Sequence, residues 1–241
     1  MNSHGSIVVG HDPVRGAYLR SARCEPPFDV RRCDDRILIA ASAAAPVGGD
    51  ALSLDIDIEP ATRARIGTVA STIVLPGPTG EPSTMVTRCS VADGAHLDWF
   101  AEPTVSVAGS DHTVTTTIDL AASATCRIVE EVALGRTDER SGGLRLVLRV
   151  ERDGRVLVHH DESFGPDVDG AGSVVSVGGA RHVLSAVLVG VEAGDSRATT
   201  DGDVRAAWLP MADDVAVLLA VGPDRPSVLS RVSELAPALA R

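Results

Sequence analysis

The feature that most constrains the fold is a two-residue alternation that recurs along most of the chain. Leu52, Leu54, Ile56 and Ile58 alternate with Ser53, Asp55, Asp57 and Glu59. Such a segment buries one face of a strand and offers an acidic face to water. From Ile37 onward, short β-branched runs are separated by Gly, Pro and Asp turn residues, which predicts an all-β fold. The expected strands are 37–41, 51–59, 64–75, 84–91, 104–107, 113–120, 125–134, 144–152, 155–161, 173–177, 183–192, 203–208 and 215–221. No segment repeats at a fixed period, so self-similarity does not indicate a propeller or a regular solenoid. After Pro226, the residues Val228, Leu229, Val232 and Leu235 recur at helical spacing as far as Pro237, which predicts one amphipathic helix near the C-terminus.

Two turns carry the clearest local signals. Gly48-Gly49-Asp50 delivers the chain into the alternating strand; paired glycines admit a positive φ or a close approach to another surface, and a carboxylate follows at once. The bland reading is a structural turn. Asp153-Gly154 lies between two alternating runs and predicts a type I′ hairpin with Arg152 opposite Arg155. In that register Leu148 faces His159 and Leu146 faces Asp161, so His159 and Asp161 share a face with leucines. Pro76 to Pro82 and Gly165 to Gly172 are too rich in Pro and Gly for a sheet interior and predict loops.

Charge and cysteine usage narrow the function. The net charge is −11, and all 22 basic residues are arginine. An acidic chain is a poor ligand for phosphate backbones, which argues against nucleic acid and toward cations or basic protein surfaces as partners. Cys24, Cys33, Cys89 and Cys126 form no C-x-x-C pair, and Met1 to Gly10 lacks a basic leader, so a cytoplasmic protein with free thiols is expected. The longest apolar runs, 183–191 and 215–221, fall far below the roughly 20 residues of a membrane-spanning helix.

Catalytic signatures are missing. Gly109-Ser110-Asp111-His112 holds the letters of a hydrolase triad, yet consecutive residues cannot form its geometry, and the segment reads as a turn. His159-His160-Asp161-Glu162 is the densest group of metal-ligating types, but on a strand alternate residues point apart, so at most two could serve one ion. Phosphate-binding loops and zinc spacings do not occur. The residues alone leave open a β-sandwich ligand-binding module or a β-fold hydrolase, either of which would show a concave pocket with convergent polar groups.

Four elements in order carry a family resemblance: Gly48-Gly49-Asp50; Leu97-Asp98-Trp99-Phe100 running to Glu102-Pro103-Thr104-Val105; Glu130 followed by Leu134-Gly135-Arg136; and the Asp153-Gly154 hairpin closed by acidic Asp161. This set resembles the UreD (UreH) family of urease accessory proteins from about Ala45 to Phe164, and more loosely through to the terminal helix. The resemblance implies one elongated, β-helix-like domain of stacked sheets over 1–241, with one or two short helices, a poorly matched N-terminal region at 1–35 and a C-terminal helix within 226–241. It implies a cytoplasmic, non-catalytic scaffold that binds apo-urease and UreF, and through UreF the GTPase UreG, and that helps deliver nickel. No tightly bound cofactor is implied, only transient Ni2+. Asp50, Glu130, Asp161 and His159 are the candidate nickel-handling residues, the three carboxylates being expected to point inward; Gly48, Gly49, Trp99, Glu102, Gly135 and Arg136 match family motifs and are candidates for partner binding. The family's Thr-Thr-Gln stretch is replaced here by Thr68-Val69-Ala70-Ser71-Thr72, which lacks the amide.

Overall fold

The computed structural model describes residues 1–14, 16–170, 173 and 176–239. The strands are, in order, β1 (Asn2–Asp12), β2 (Gly16–Cys24), β3 (Phe28–Cys33), β4 (Arg36–Ala41), β5 (Ala51–Ile58), β6 (Arg63–Thr68), β7 (Thr72–Val74), β8 (Ser83–Val91) and β9 (His96–Phe100). They continue with β10 (Thr104–Ser106), β11 (Asp111–Leu120), β12 (Thr125–Leu134), β13 (Gly143–Arg152), β14 (Arg155–Phe164), β15 (His182–Val189), β16 (Arg197–Asp201), β17 (Val204–Ala212) and β18 (Val215–Gly222). One α-helix, α1 (Arg225–Leu235), follows, and a single 3-10 turn at Pro237–Leu239 closes the described chain.

From β4 to β13 the chain winds between two sheets. One sheet has the order β14-β13-β11-β8-β5-β1-β2 and is parallel from β13 to β1. The other has the order β16-β17-β18-β15-β12-β9-β6-β4-β3 and is parallel from β4 to β12. Each passage through both sheets is one coil of a solenoid, so equivalent residues stack: Ile7, Ile56, Cys89, Ile118 and Val150 stand side by side in the first sheet, all fully buried. Ile37, Ile66, Trp99, Ile128 and Val187 stand likewise in the second. Facing apolar columns of this kind are what alternation builds when both inner faces meet. The coils run to about 30 residues but are unequal in length, which is why no fixed period is visible in the sequence.

The predicted strands other than 173–177 are present, and β1, β2, β3, β9 and β16 form where the sequence pattern predicts none. The run 64–75 is two strands, β6 and β7, because the segment from Gly67 to Thr72 holds one residue more than Phe100 to Thr104 opposite, and the surplus leaves the ladder at 69–71. The N-terminal region is no appendage: β1 lies between β5 and β2, with Ile7 and Val9 fully buried. The expected strand 173–177 falls partly on 174–175, outside the described residues; Ser173, Ser176 and Val177 lie in bends and turns. The helix forms where its spacing predicts, capped by Asp224, whose side chain accepts from the Ser227 N–H at 2.8 Å, with Pro226 in its first turn.

Candidate functional site

Moving two residues along each strand from the apolar columns, the interior changes character. In the first sheet the next column is Leu54, Thr87, Thr116 and Leu148; in the second, Ile39 pairs with Thr68, and Glu130 pairs with Ser185. Here the sheets enclose a cavity of about 350 Å3, lined by Leu52, Leu54, Met85, Val114, Leu146 and Trp99, with Thr87, Thr116, His112 and Glu130 among its polar groups. Its mouth lies where the second sheet splits. β4 pairs with β6 only as far as Ile39 and Thr68, the 69–71 segment bulges out, and the Thr68 hydroxyl takes the Glu102 N–H at 2.8 Å that no strand partner takes.

Glu130 is partly buried and lines this cavity. Thr116 Oγ1 donates to Oε1 at 2.9 Å, and among the described residues no arginine or histidine forms an ion pair with it. Burial pushes its acid upward against that one hydrogen bond. On the opposite wall His112 is buried, with Nδ1 2.8 Å from the Ser83 hydroxyl, and burial pushes the imidazole down to about 4. Each shift favours the uncharged form. The sequence predicts a turn over 109–112; the turn lies at Ala108 and Gly109, and His112 is in β11, which has begun by Asp111.

The adjacent Glu131 points to the other side of the sheet, as alternation requires. Its side chain is fully buried between β12 and α1, where Arg225 Nε and Nη2 donate to Oε2 at 2.7 Å and Oε1 at 3.1 Å, and His182 Nε2 lies 3.0 Å from Oε2. Arg225 also reaches Glu102 Oε2 at 3.0 Å. This cluster fastens α1 to the outer face of the second sheet. None of Glu131, His182 and Arg225 stands out in sequence, since Arg225 is far from its partners along the chain.

The four candidate nickel residues are not brought together. Asp50, buried at the start of β5, accepts from the Met1 ammonium and from Val47 N at 2.8 Å; burial raises its acid, but these two partners outweigh that and leave it below its ordinary value. The hairpin has its predicted type I′ turn, with φ of 51° at Asp153 and 73° at Gly154, and pairs Arg152 with Arg155. A bulge at Val150/Glu151 then shifts the register by one, so Leu148 faces His160 and Leu146 faces Glu162. His159 and Asp161 therefore point outward, not onto the leucine face or inward, and Asp161 is bound by Arg145 through bonds of 2.8 and 2.6 Å. Among the described residues no group of three or more His, Cys, Asp or Glu side chains could hold an ion, and no helix is long and apolar enough to cross a membrane.

The motif residues have structural work. A Cβ on Gly48 would lie 2.7 Å from Glu81 O and 2.8 Å from Gly77 Cα, and Gly49 has φ of 88°, so both glycine properties anticipated for this turn are used. Gly135, with φ of 83°, turns the chain so that Arg136 grips Glu139 at 2.8 and 2.9 Å. Trp99 is buried in the apolar core.

The fold defines an all-β solenoid of two stacked sheets, each with a parallel centre flanked by antiparallel strands, with an acid-bearing cavity between them. Within that class the chain belongs to the family described as UreD urease accessory protein, whose sequence model matches residues 3–240. It is 35% identical over 198 residues to urease accessory protein UreD of Frankia casuarinae, covering 76% of this chain and 62% of that protein. With the Streptomyces coelicolor protein of the same name it shares 34% over 230 residues, 90% of this chain and 89% of the relative.

Proposed function

We propose that this chain acts in urease maturation as a non-catalytic cytoplasmic scaffold, binding apo-urease and UreF, and through UreF the GTPase UreG, and helping nickel reach the urease active site. The observation that carries this reading is the family match across nearly the whole chain. The relatives' shared name, urease accessory protein, supports it. In this reading Glu130 is the interior waypoint for the ion, while Asp50 and the outward pair His159 and Asp161 act at separate places. A site that must release its ion uses few, hard donors instead of a closed cage, and isolated carboxylates suit that requirement. Gly48, Gly49, Glu102, Gly135 and Arg136 serve partner binding by holding turns in shape.

The cavity is also the feature that a ligand-binding module would have, and it keeps that reading as the alternative. Co-expression of urease subunits and the other accessory proteins, with and without this chain, separates the two. The scaffold reading expects assembled but nickel-poor, inactive urease when the chain is omitted. Full activation and full nickel content without it would leave the ligand-binding reading.

A further inference from the structure

Glu130 is an interior acid with one neutral hydrogen-bond partner. Its Oε1 is met by Thr116, and Oε2 has no partner among the described residues. The space in front of it is walled by Leu52, Leu54, Met85, Val114 and Leu146, and at about 350 Å3 it matches the size of small-molecule sites. The lining residues near the mouth include Ala41, Val69, Ala70, Ser71 and Ile73, which are exposed and uncharged, with Val69 and Ile73 leaving large apolar side chains in water. A path with an apolar entrance and an acid at its inner end selects for shape and charge together.

We propose that this cavity binds a monocation carried on an apolar stem, an alkylated amine or guanidine, with its head on Glu130 Oε2 and its stem against Leu52, Met85, Val114 and Leu146. Other occupants fit less well. An anion would meet Glu130 with no arginine paired to that carboxylate. A neutral apolar molecule would displace water from the carboxyl and give it no partner in exchange, which is costly. A divalent ion at rest needs several donors in place of its water, and no cluster of three such groups is present among the described residues, so nickel would pass this carboxylate without lodging there. His112 offers a second nitrogen at most, since Nδ1 is engaged by Ser83. A donating ammonium or guanidinium would satisfy Oε2 directly with a charge-assisted bond. The same chemistry is offered by a free small molecule and by a lysine or arginine side chain of a docked protein. This inference does not depend on the role in urease maturation.

Calorimetric titration of the full chain tests it, with n-butylguanidinium, guanidinium, n-butanol and Ni2+ as probes. The expected result is one saturable site for n-butylguanidinium, at least tenfold tighter than for guanidinium or n-butanol. Glu130→Gln should weaken binding at least tenfold. Should Glu130→Gln fail to fold, Ala70→Trp at the exposed rim carries the test, because it narrows the mouth without touching the acid and should lower affinity or slow entry. A short capped peptide with one arginine among alanines separates the sources: binding tighter than n-butylguanidinium points to a docked side chain, and weaker binding points to a free ligand. No saturable n-butylguanidinium binding, equal affinity for n-butanol, unchanged affinity in both variants, or uptake of Ni2+ alone would overturn the proposal.

Discussion

Glu130 and Glu131 are neighbours on one strand with opposite surroundings. Glu131 faces α1 and is answered on both oxygens by Arg225, with His182 beside it. Glu130 faces the other sheet across open space and has one hydroxyl. The difference separates two uses of an acid on one strand: a buried, paired one fixes an element in place, whereas a partly buried one without an ionic partner keeps its capacity to bind something else. Strand alternation alone sends the two side chains apart, so one dipeptide supplies both.

The largest effect should come from breaking the paired side. Arg225→Ala takes the guanidinium away from buried Glu131, and stability should fall by about 3–5 kcal/mol, read from the denaturant midpoint. Adding Glu131→Gln should recover part of that loss. If Arg225→Ala costs nothing measurable, the cluster does not fasten the helix.

The cavity side should show itself through pH. His112 titrates at about 4 when folded and near 6.5 unfolded, so between these values the unfolded chain binds the extra proton and stability falls as pH falls. The full loss attributable to His112 is on the order of 3 kcal/mol, and His112→Gln should flatten the slope in that window. Glu130 works in the opposite direction. Its folded acid is raised, so the stability it contributes is present below the ordinary carboxylate range and lost as pH rises through the raised value. Glu130→Gln, always neutral, should therefore gain stability relative to the parent as pH rises from about 4 to about 8, read from the denaturant midpoint at each pH. The smallest effect belongs to Asp161→Ala, which removes an exposed pair with Arg145 and should leave the denaturant midpoint nearly unchanged.

Much of the architecture is legible in the residues because β-branched runs between turn residues mark most strands from Ile37 onward, some of them alternating like β5 and others buried throughout like β15. The solenoid is not, since its coils differ in length. Neither is β1, whose inward residues include Ser3 and Gly5 beside Ile7 and Val9, too weak a pattern to read. The Asp153-Gly154 turn is legible because its φ angles demand those residues, but the bulge beyond it depends on how two strands fit, and it reversed the faces of His159 and Asp161. Glu130 is visible as an acid inside a β-branched run. Its surroundings are not, because Thr116, His112 and the split between β6 and β7 come from other coils.

The most direct test is urease activation by Glu130→Gln in cells expressing the urease subunits and the remaining accessory proteins, with the variant's solubility and melting temperature measured beside it. The account predicts a soluble, normally melting protein and urease that is poor in nickel and activity. Urease fully loaded and fully active with Glu130→Gln would contradict it.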